Sequence, residues 1–333
     1  MKRALITGVT GQDGYFLARY LDQLGYQVFG LVRHLDPSRD QQVRQRLPQV
    51  TLVEGDLADA TAIARAIERS APDEVYNLAA VTYVPASWQD PELAAQVNGL
   101  GVLRLLEAIR RVADASPSRP DAARAIRFFQ AGSSEMFGPA ERSPQDESTP
   151  FRPQNPYAAA KVYAHHVTAV YREAHGLFAC NGILYNHESP QRPPHFVSRK
   201  IAQGVARIAL GRQRELVLGN LDARRDWGYA GDFVRAMHLM LQHDVPGDYV
   251  VGTGEVHTVR EFVEIAFQCV GLDWRAYVRV DPQLVRKVEP WNMCADATKA
   301  RRVLGWQPTV SFRELVEMMV RADLERERAA SDS

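Results

Sequence analysis

The 333-residue sequence predicts an α/β chain built on a doubly wound parallel sheet, followed by a smaller C-terminal α/β lobe. Three observations carry this. Short apolar segments alternate with amphipathic ones through the first 185 residues. A glycine-rich loop lies at the first strand–helix junction. Beyond residue 185 the alternation loosens, with Pro190, Pro193 and Pro194 interrupting it.

Residues 3–8 (RALITG) form the first predicted strand, apolar and closed by glycine. Residues 14–24 carry Phe16, Leu17, Tyr20, Leu21 and Leu24 at helical spacing, and Gly25 ends that helix. The alternation continues with strands at 26–32, 50–53, 74–79, 126–131 and 178–184, and helices at 59–70, 99–112 and 156–174. Residues 114–125 read as a surface loop and 326–333 as a frayed tail. The expected organisation is a dinucleotide domain over 1–185, to which the chain returns near 228–255, and a substrate lobe from 186–227 and 256–325. Ser311 with Glu314 is a capping box for the last helix.

Composition narrows the function classes. Lys+Arg and Asp+Glu are equal at 40, which gives no broad cationic surface for nucleic acid or anionic lipid. Cys180, Cys269 and Cys294 are odd in number and far apart, so neither a metal cluster nor a disulfide framework is expected. No apolar run approaches a membrane span, and MKRALITG leaves no room for a signal peptide, which points to the cytoplasm.

The loop Gly8-Val-Thr10-Gly11-Gln12-Asp13-Gly14 has the spacing GxxGxxG. Glycines there allow a tight turn, and the following helix start offers N–H groups and partial positive charge to a pyrophosphate, as in Rossmann-type domains. Arg33-His34 at the end of the second strand favours NADP through its 2′-phosphate, whereas Asp36 keeps NAD as the alternative. Asp56 and Leu57 after the third strand, and Leu78, Ala79 and Ala80 at the end of the fourth, are further candidate dinucleotide contacts. Asp56 could instead cap the next helix, a role equally open to Asp59.

Tyr157 and Lys161 stand four residues apart in a helix that Asn155 can cap and Pro156 can begin. A nearby ammonium and a cationic nicotinamide would draw a phenol from about 10 toward neutrality, making Tyr157 a base. Ser133, just past the strand ending at Ala131, occupies the place where short-chain dehydrogenases, which this pattern resembles, carry a hydroxyl for the reacting oxygen. Glu135, two residues on, adds a carboxylate able to remove a proton α to a ketone.

With these residues assembled, the sequence resembles the GDP-mannose 4,6-dehydratase family of extended short-chain dehydrogenases over nearly its whole length. The resemblance rests on GVTGQDG (8–14), QAGSSEMFG (130–138), NPYAAAK (155–161), GILYNHESPQR (182–192), LGNLDARRDWG (218–228) and TGEVHTVREFVE (253–264). It implies catalytic Ser133, Glu135 and Tyr157, cofactor-contacting Lys161, His187 and Arg192, and a nucleotide-sugar pocket lined by Asn186, Val197, Lys200, Arg225 and Glu289. It also implies NADP, a GDP-sugar substrate and a homodimer or homotetramer.

Four departures from the family pattern stand out. Ser133 replaces a threonine, Arg33–Asp36 differs from the usual Arg-Arg-Ser-Ser, Pro193 replaces a glycine, and residues 286–296 diverge. A GDP-manno-heptose is the alternative substrate, and a 4-epimerase or a reductase the alternative reaction. A catalytically silent dinucleotide sensor would not need Ser133, Glu135, Tyr157 and Lys161 together. Without the resemblance, His187 reads as a satisfied loop histidine and Arg224-Arg225-Asp226 as a surface charge cluster.

Overall fold

The computed structural model describes residues 1–114, 126–284 and 293–330. Its chain opens with β1 (Arg3–Thr7), α1 (Gln12–Gln23), β2 (Gln27–Val32), α2 (Pro37–Arg46), β3 (Thr51–Glu54), α3 (Ala60–Ser70) and β4 (Glu74–Asn77). Two short helices follow, α4 (Val84–Gln89) and α5 (Pro91–Ala95), then a π-helical turn over Gln96–Leu100 that runs into α6 (Gly101–Asp114). Next come β5 (Arg127–Ala131), the long α7 (Pro156–His175) and β6 (Ala179–Leu184).

Each element follows from local chemistry. In α3, Asp59 accepts from the N–H groups of Thr61 and Ala62 at 2.8 and 3.1 Å, so Asp59 rather than Asp56 is the cap. The expectation of helix over 99–112 shifts, because the π turn precedes α6 and α6 extends to Asp114. Helices α2, α4 and α5 are additions to the predicted alternation.

The second half contains β7 (Asn186–Glu188), α8 (Val197–Ala209), β8 (Leu216–Leu218), β9 (Arg224–Arg225), β10 (Trp227–Tyr229), α9 (Ala230–Gln242) and β11 (Asp248–Val251). After these come β12 (His257–Thr258), α10 (Val259–Gln268), β13 (Val278–Val280), α11 (Thr298–Leu304) and α12 (Phe312–Ala329). The Ser311–Glu314 capping box forms in both directions at the start of α12. Residues 326–329, expected to fray, are helical, and residues 331–333 lie outside the described residues.

Seven strands make one sheet in the order β11-β6-β5-β4-β1-β2-β3, and every pairing in it is parallel. The order reverses between β1 and β4, and the crevice beyond their C-terminal ends is where such a sheet binds ligands. One face packs Leu17 and Leu21 of α1 against Met237 and Met240 of α9 and Trp306 after α11. On the other, Ile63 and Ile67 of α3 meet Leu105, Leu106 and Ile109 of α6. Each such side chain contributes about 1.5–3 kcal/mol by leaving water.

A separate core joins α8, α10 and α12 through Ile201, Val205, Phe262, Phe267, Val316 and Met319. Arg199 of α8 clamps Asp323 of α12 at 2.6 and 2.5 Å. Among the described residues no helix is long and apolar enough to cross a membrane, and no cluster of metal ligands occurs.

Candidate active site

The phosphate loop lies at the strand-order switch. Gly8 adopts φ +70°, and a Cβ there would sit 2.8 Å from the Ala79 amide nitrogen. At Gly14 a Cβ would fall 2.4 Å from the Gly8 carbonyl oxygen. Only glycine lets the helix start and the ends of β1 and β4 approach this closely. Thr7 fixes that approach: its hydroxyl donates to Asn77 Oδ1 at 2.6 Å and accepts from the N–H groups of Leu78 and Ala79. Gly11 caps α1 without a side-chain acceptor, so the first N–H groups of the helix have no side-chain cap.

Leu78, Ala79 and Ala80 are partly buried beside this loop. Arg33 is exposed just past the end of β2, and Asp56 accepts from the Ala58 N–H at 2.9 Å. An uncapped helix N-terminus, a glycine cradle against Ala79, and the cations Lys161 and Arg192 form a donor set suited to a dinucleotide.

The proton-transfer residues converge from β5 and α7. Asn155 begins α7, accepting from the Ala158 N–H at 2.8 Å, while its amide donates to Glu135 Oε2 at 3.2 Å. The helix cap therefore also holds the carboxylate. The Ser133 hydroxyl draws the Tyr157 phenol down, and its oxygen accepts from the Glu135 N–H at 3.2 Å. Lys161 is buried and donates to the Ala131 carbonyl at 2.8 Å, with its nitrogen 5.8 Å from the Tyr157 ring centre.

Burial pushes the Tyr157 hydroxyl up to about 12; Ser133 and Arg192 draw it down, and Glu135 and Asp13 push it up. Arg192 thus adds a cationic field on the phenol, beside the Lys161 ammonium at 5.8 Å from its ring. Burial lowers Lys161 to about 8, opposed by the Asp13 carboxylate.

A third group comes from the chain after β6. His187 Nε2 lies 2.9 Å from Asp13 Oδ2, and its Nδ1 lies 2.7 Å from the Tyr185 carbonyl oxygen. Its ring stacks on Phe233 at 4.5 Å. Gln12 donates to Asp13 Oδ1 and to the His187 carbonyl, and Ser189 donates to Gln12. Arg192 lies over the Phe196 ring at 3.7 Å, and its Nε is 3.1 Å from Glu188 without an aligned acceptor. Ser198 donates to Glu188 at 2.5 Å.

The fold thus brings Asp13, Ser133, Glu135, Tyr157, Lys161, His187 and Arg192 into one cleft. Asn186 lies beside His187 on β7, Val197 and Lys200 lie on the first turn of α8, and Arg225 lies on β9. Glu289 falls outside the described residues. The charge-cluster reading fails at Asp226, which is fully buried and accepts from the N–H groups of Thr253, Gly254 and Ala295 and the Thr253 hydroxyl. Burial raises its carboxyl, and those bonds oppose the rise. Its partners lie at least 27 residues away in sequence, so no local pattern signals them.

Fold and site together define an enzyme of the extended short-chain dehydrogenase type. The family described as GDP-mannose 4,6 dehydratase matches residues 5–319, and the chain belongs to it. GDP-mannose 4,6 dehydratase 1 of Arabidopsis thaliana is 48% identical, covering 100% of this chain and 93% of its own. The Homo sapiens GDP-mannose 4,6 dehydratase is 44% identical, with 97% and 91% covered.

In structure, the chain is similar to a dTDP-glucose 4,6-dehydratase from Streptomyces venezuelae with NAD and TYD bound. The TM-score is 0.81 at 26% identity, and 99% of this chain and 98% of that one are covered. It is also similar to the Thermus thermophilus UDP-glucose 4-epimerase in complex with NAD, with TM-score 0.80, 28% identity and coverage of 96% and 98%.

Proposed function

We infer that the enzyme is a GDP-mannose 4,6-dehydratase, a hydro-lyase that converts GDP-mannose to the GDP-4-keto-6-deoxy sugar and water. The observation that carries this reading is Glu135, tethered by Asn155 and bonded through its N–H to Ser133, with both residues acting on the Tyr157 phenol. Oxidation at an alcohol needs only the hydroxyl and tyrosine; a carboxylate beside them suits removal of a proton from the carbon next to the new ketone.

A bound nicotinamide dinucleotide supplies the hydride acceptor at C4 and the hydride donor at C6. Tyr157 takes the proton of the 4-hydroxyl, and Ser133 orients that oxygen. Glu135 takes the C5 proton once C4 is a ketone, and the C6 hydroxyl departs with Ser133 assisting. Of the two protons removed, one leaves in water and the other returns to C5. The sequence is redox-neutral.

Lys161, His187 and Arg192 hold the dinucleotide in this reading, with Gly8, Thr10, Gly11 and Gly14 around its pyrophosphate. Arg33 beyond β2 supports NADP over NAD. Asn186, Val197, Lys200, Arg225 and Glu289 take the nucleotide sugar on the second-lobe side. Pairing of subunits through α7 accords with the exposed Tyr163 and Val170 on that helix.

Incubation with GDP-mannose should give the 4-keto product without net consumption of NADPH. Stoichiometric NADPH oxidation would identify a reductase, and C4 inversion without water loss an epimerase. Dehydration of GDP-manno-heptose but not GDP-mannose would replace the sugar and keep the reaction.

A further inference from the structure

We propose that Asp13 and His187 form a charge-cancelling pair that makes the phosphate loop receptive to a dinucleotide, with His187 held as an imidazolium to neutralise the carboxylate at the start of α1. This rests on the dinucleotide reading of the cleft and is independent of which sugar is bound.

The protonation state follows from geometry. His187 Nδ1 faces the Tyr185 carbonyl oxygen at 2.7 Å, and Nε2 faces a carboxylate oxygen of Asp13 at 2.9 Å. Neither partner has a proton to give when Asp13 is ionised, so both ring nitrogens must carry one. The Asp13 carboxylate raises the affinity of the imidazole for its second proton against burial, which lowers it. The imidazolium in turn keeps Asp13 ionised despite its own burial.

The location gives the pair its task. Asp13 lies in the first turn of α1, whose N–H groups have no side-chain cap. A bare carboxylate there would repel a pyrophosphate and compete for the same N–H groups. Instead both of its oxygens are engaged by side chains: Oδ2 by His187 and Oδ1 by Gln12 at 3.1 Å.

The other charges facing the pair are Arg192 from the loop after β7, offset by Glu188, and Lys161 from α7; Tyr157 of α7 is the further titratable group. With Asp13 cancelled by His187 and Arg192 offset by Glu188, Lys161 is left as the net cation. Removal of the His187 charge lets Asp13 cancel Lys161 instead, and the loop loses its attraction for an anion.

The pair also spans the fold. It joins the first turn of α1 to β7, whose register places His187 opposite Gly228 of β10. Gln12 and Ser189 add a second strut between the same segments.

Charge cancellation and simple bracing predict opposite results in a double substitution. NADP+ and NAD+ affinities would be measured by calorimetric titration of the full-length protein at pH 7, without sugar. His187→Gln is expected to weaken binding about tenfold or more, the scale of one uncancelled charge beside an anion. Asp13→Asn with His187→Gln is expected to bind more tightly than His187→Gln alone, since no carboxylate remains to be neutralised, while any direct His187 contact stays lost. A double variant as weak as His187→Gln, or weaker, overturns the proposal.

Should His187→Gln not fold, the same choice can be read from wild type against Asp13→Asn. Wild-type affinity should fall as pH rises and His187 gives up its proton, and Asp13→Asn should lack that fall. Asp13 also supports the Lys161 charge, so the comparison is made with Lys161→Met in both proteins, and the difference then isolates His187. An identical pH dependence overturns the proposal. A wild-type protein that binds neither dinucleotide removes the dinucleotide reading along with it, whereas a wrong sugar assignment leaves the test untouched.

Discussion

Replacing Lys161 with methionine should stabilise the protein while abolishing its activity. Lys161 is 3% exposed, and burial lowers it from 10.5 to about 8. At about 1.4 kcal/mol per tenfold change in proton affinity, holding the ammonium in this site at neutral pH costs about 3 kcal/mol. Methionine fills a similar volume without that cost, but leaves the Ala131 carbonyl without its 2.8 Å donor. An acceptor stranded in this way costs about 1–3 kcal/mol.

The net expectation is a gain on the order of 1–2 kcal/mol, or a rise of about 2–4 °C in melting temperature. The pH dependence fixes the cause. Lys161 has a depressed folded value, so the unfolded chain holds more protons between about pH 8 and 10.5, and wild-type stability attributable to this group rises across that window. Tyr157, shifted up from 10, affects stability only above pH 10. Other groups titrate in both proteins, so the gap between them isolates Lys161. Melting of dinucleotide-free protein at pH 7, 8, 9 and 10 should show the gap shrinking as pH rises. A variant that melts below wild type at pH 7, or a gap that stays constant to pH 10, would refute the reasoning.

Other substitutions separate chemistry from scaffold. Glu135→Gln should cut dehydration about 10²–10⁴-fold, yet leave C4 oxidation visible as reduced dinucleotide when GDP-mannose is mixed in a single turnover. Unchanged product formation would remove Glu135 from the chemistry. Gly14→Ala places a Cβ 2.4 Å from the Gly8 carbonyl and 2.5 Å from Val9 Cα, both backbone atoms. It should lose dinucleotide binding in a calorimetric titration and about 1–3 kcal/mol of stability to overpacking. Asp226→Asn turns an amide N–H₂ toward donors that a carboxylate accepts from, and should cost about 2–4 kcal/mol in urea unfolding. A loss under about 1 kcal/mol would mean those bonds are dispensable.

The strand–helix alternation through β6 was legible because buried parallel strands read as short apolar runs and their covering helices carry an apolar stripe. Where that stripe is missing the reading failed. Helix α2 (PSRDQQVRQR) offers Val43 as its sole apolar side chain apart from Pro37, so nothing in its pattern marks a helix. The end of α12 failed for a related reason. Its ERER run resembles a solvated tail, but Arg326 binds Asp323 at 3.0 Å and Glu327 binds Arg207 at 2.8 Å across from α8. A charged segment reads as loose until its distant partner, here Arg207 at 120 residues' separation, is known.

The same logic governs the site. Tyr157 with Lys161, and Ser133 with Glu135, lie within four residues of each other, so one helix and the single turn after β5 bring each pair together. Asp13 and His187 are separated by 174 residues, and Asp226 takes its nearest partner from 27 residues away. Read singly, each is a polar residue whose default place is the surface. Burial reverses that default only when the fold supplies a matched partner, because an unpaired buried charge costs several kcal/mol. Side chains whose local pattern points outward but which the fold buries and pairs are therefore the ones whose charge the protein has a use for. By that criterion the pairing of Asp13 with His187 does more than brace the fold, since a carboxylate and an imidazole placed at the start of α1 only to join two segments would be bettered by two apolar side chains.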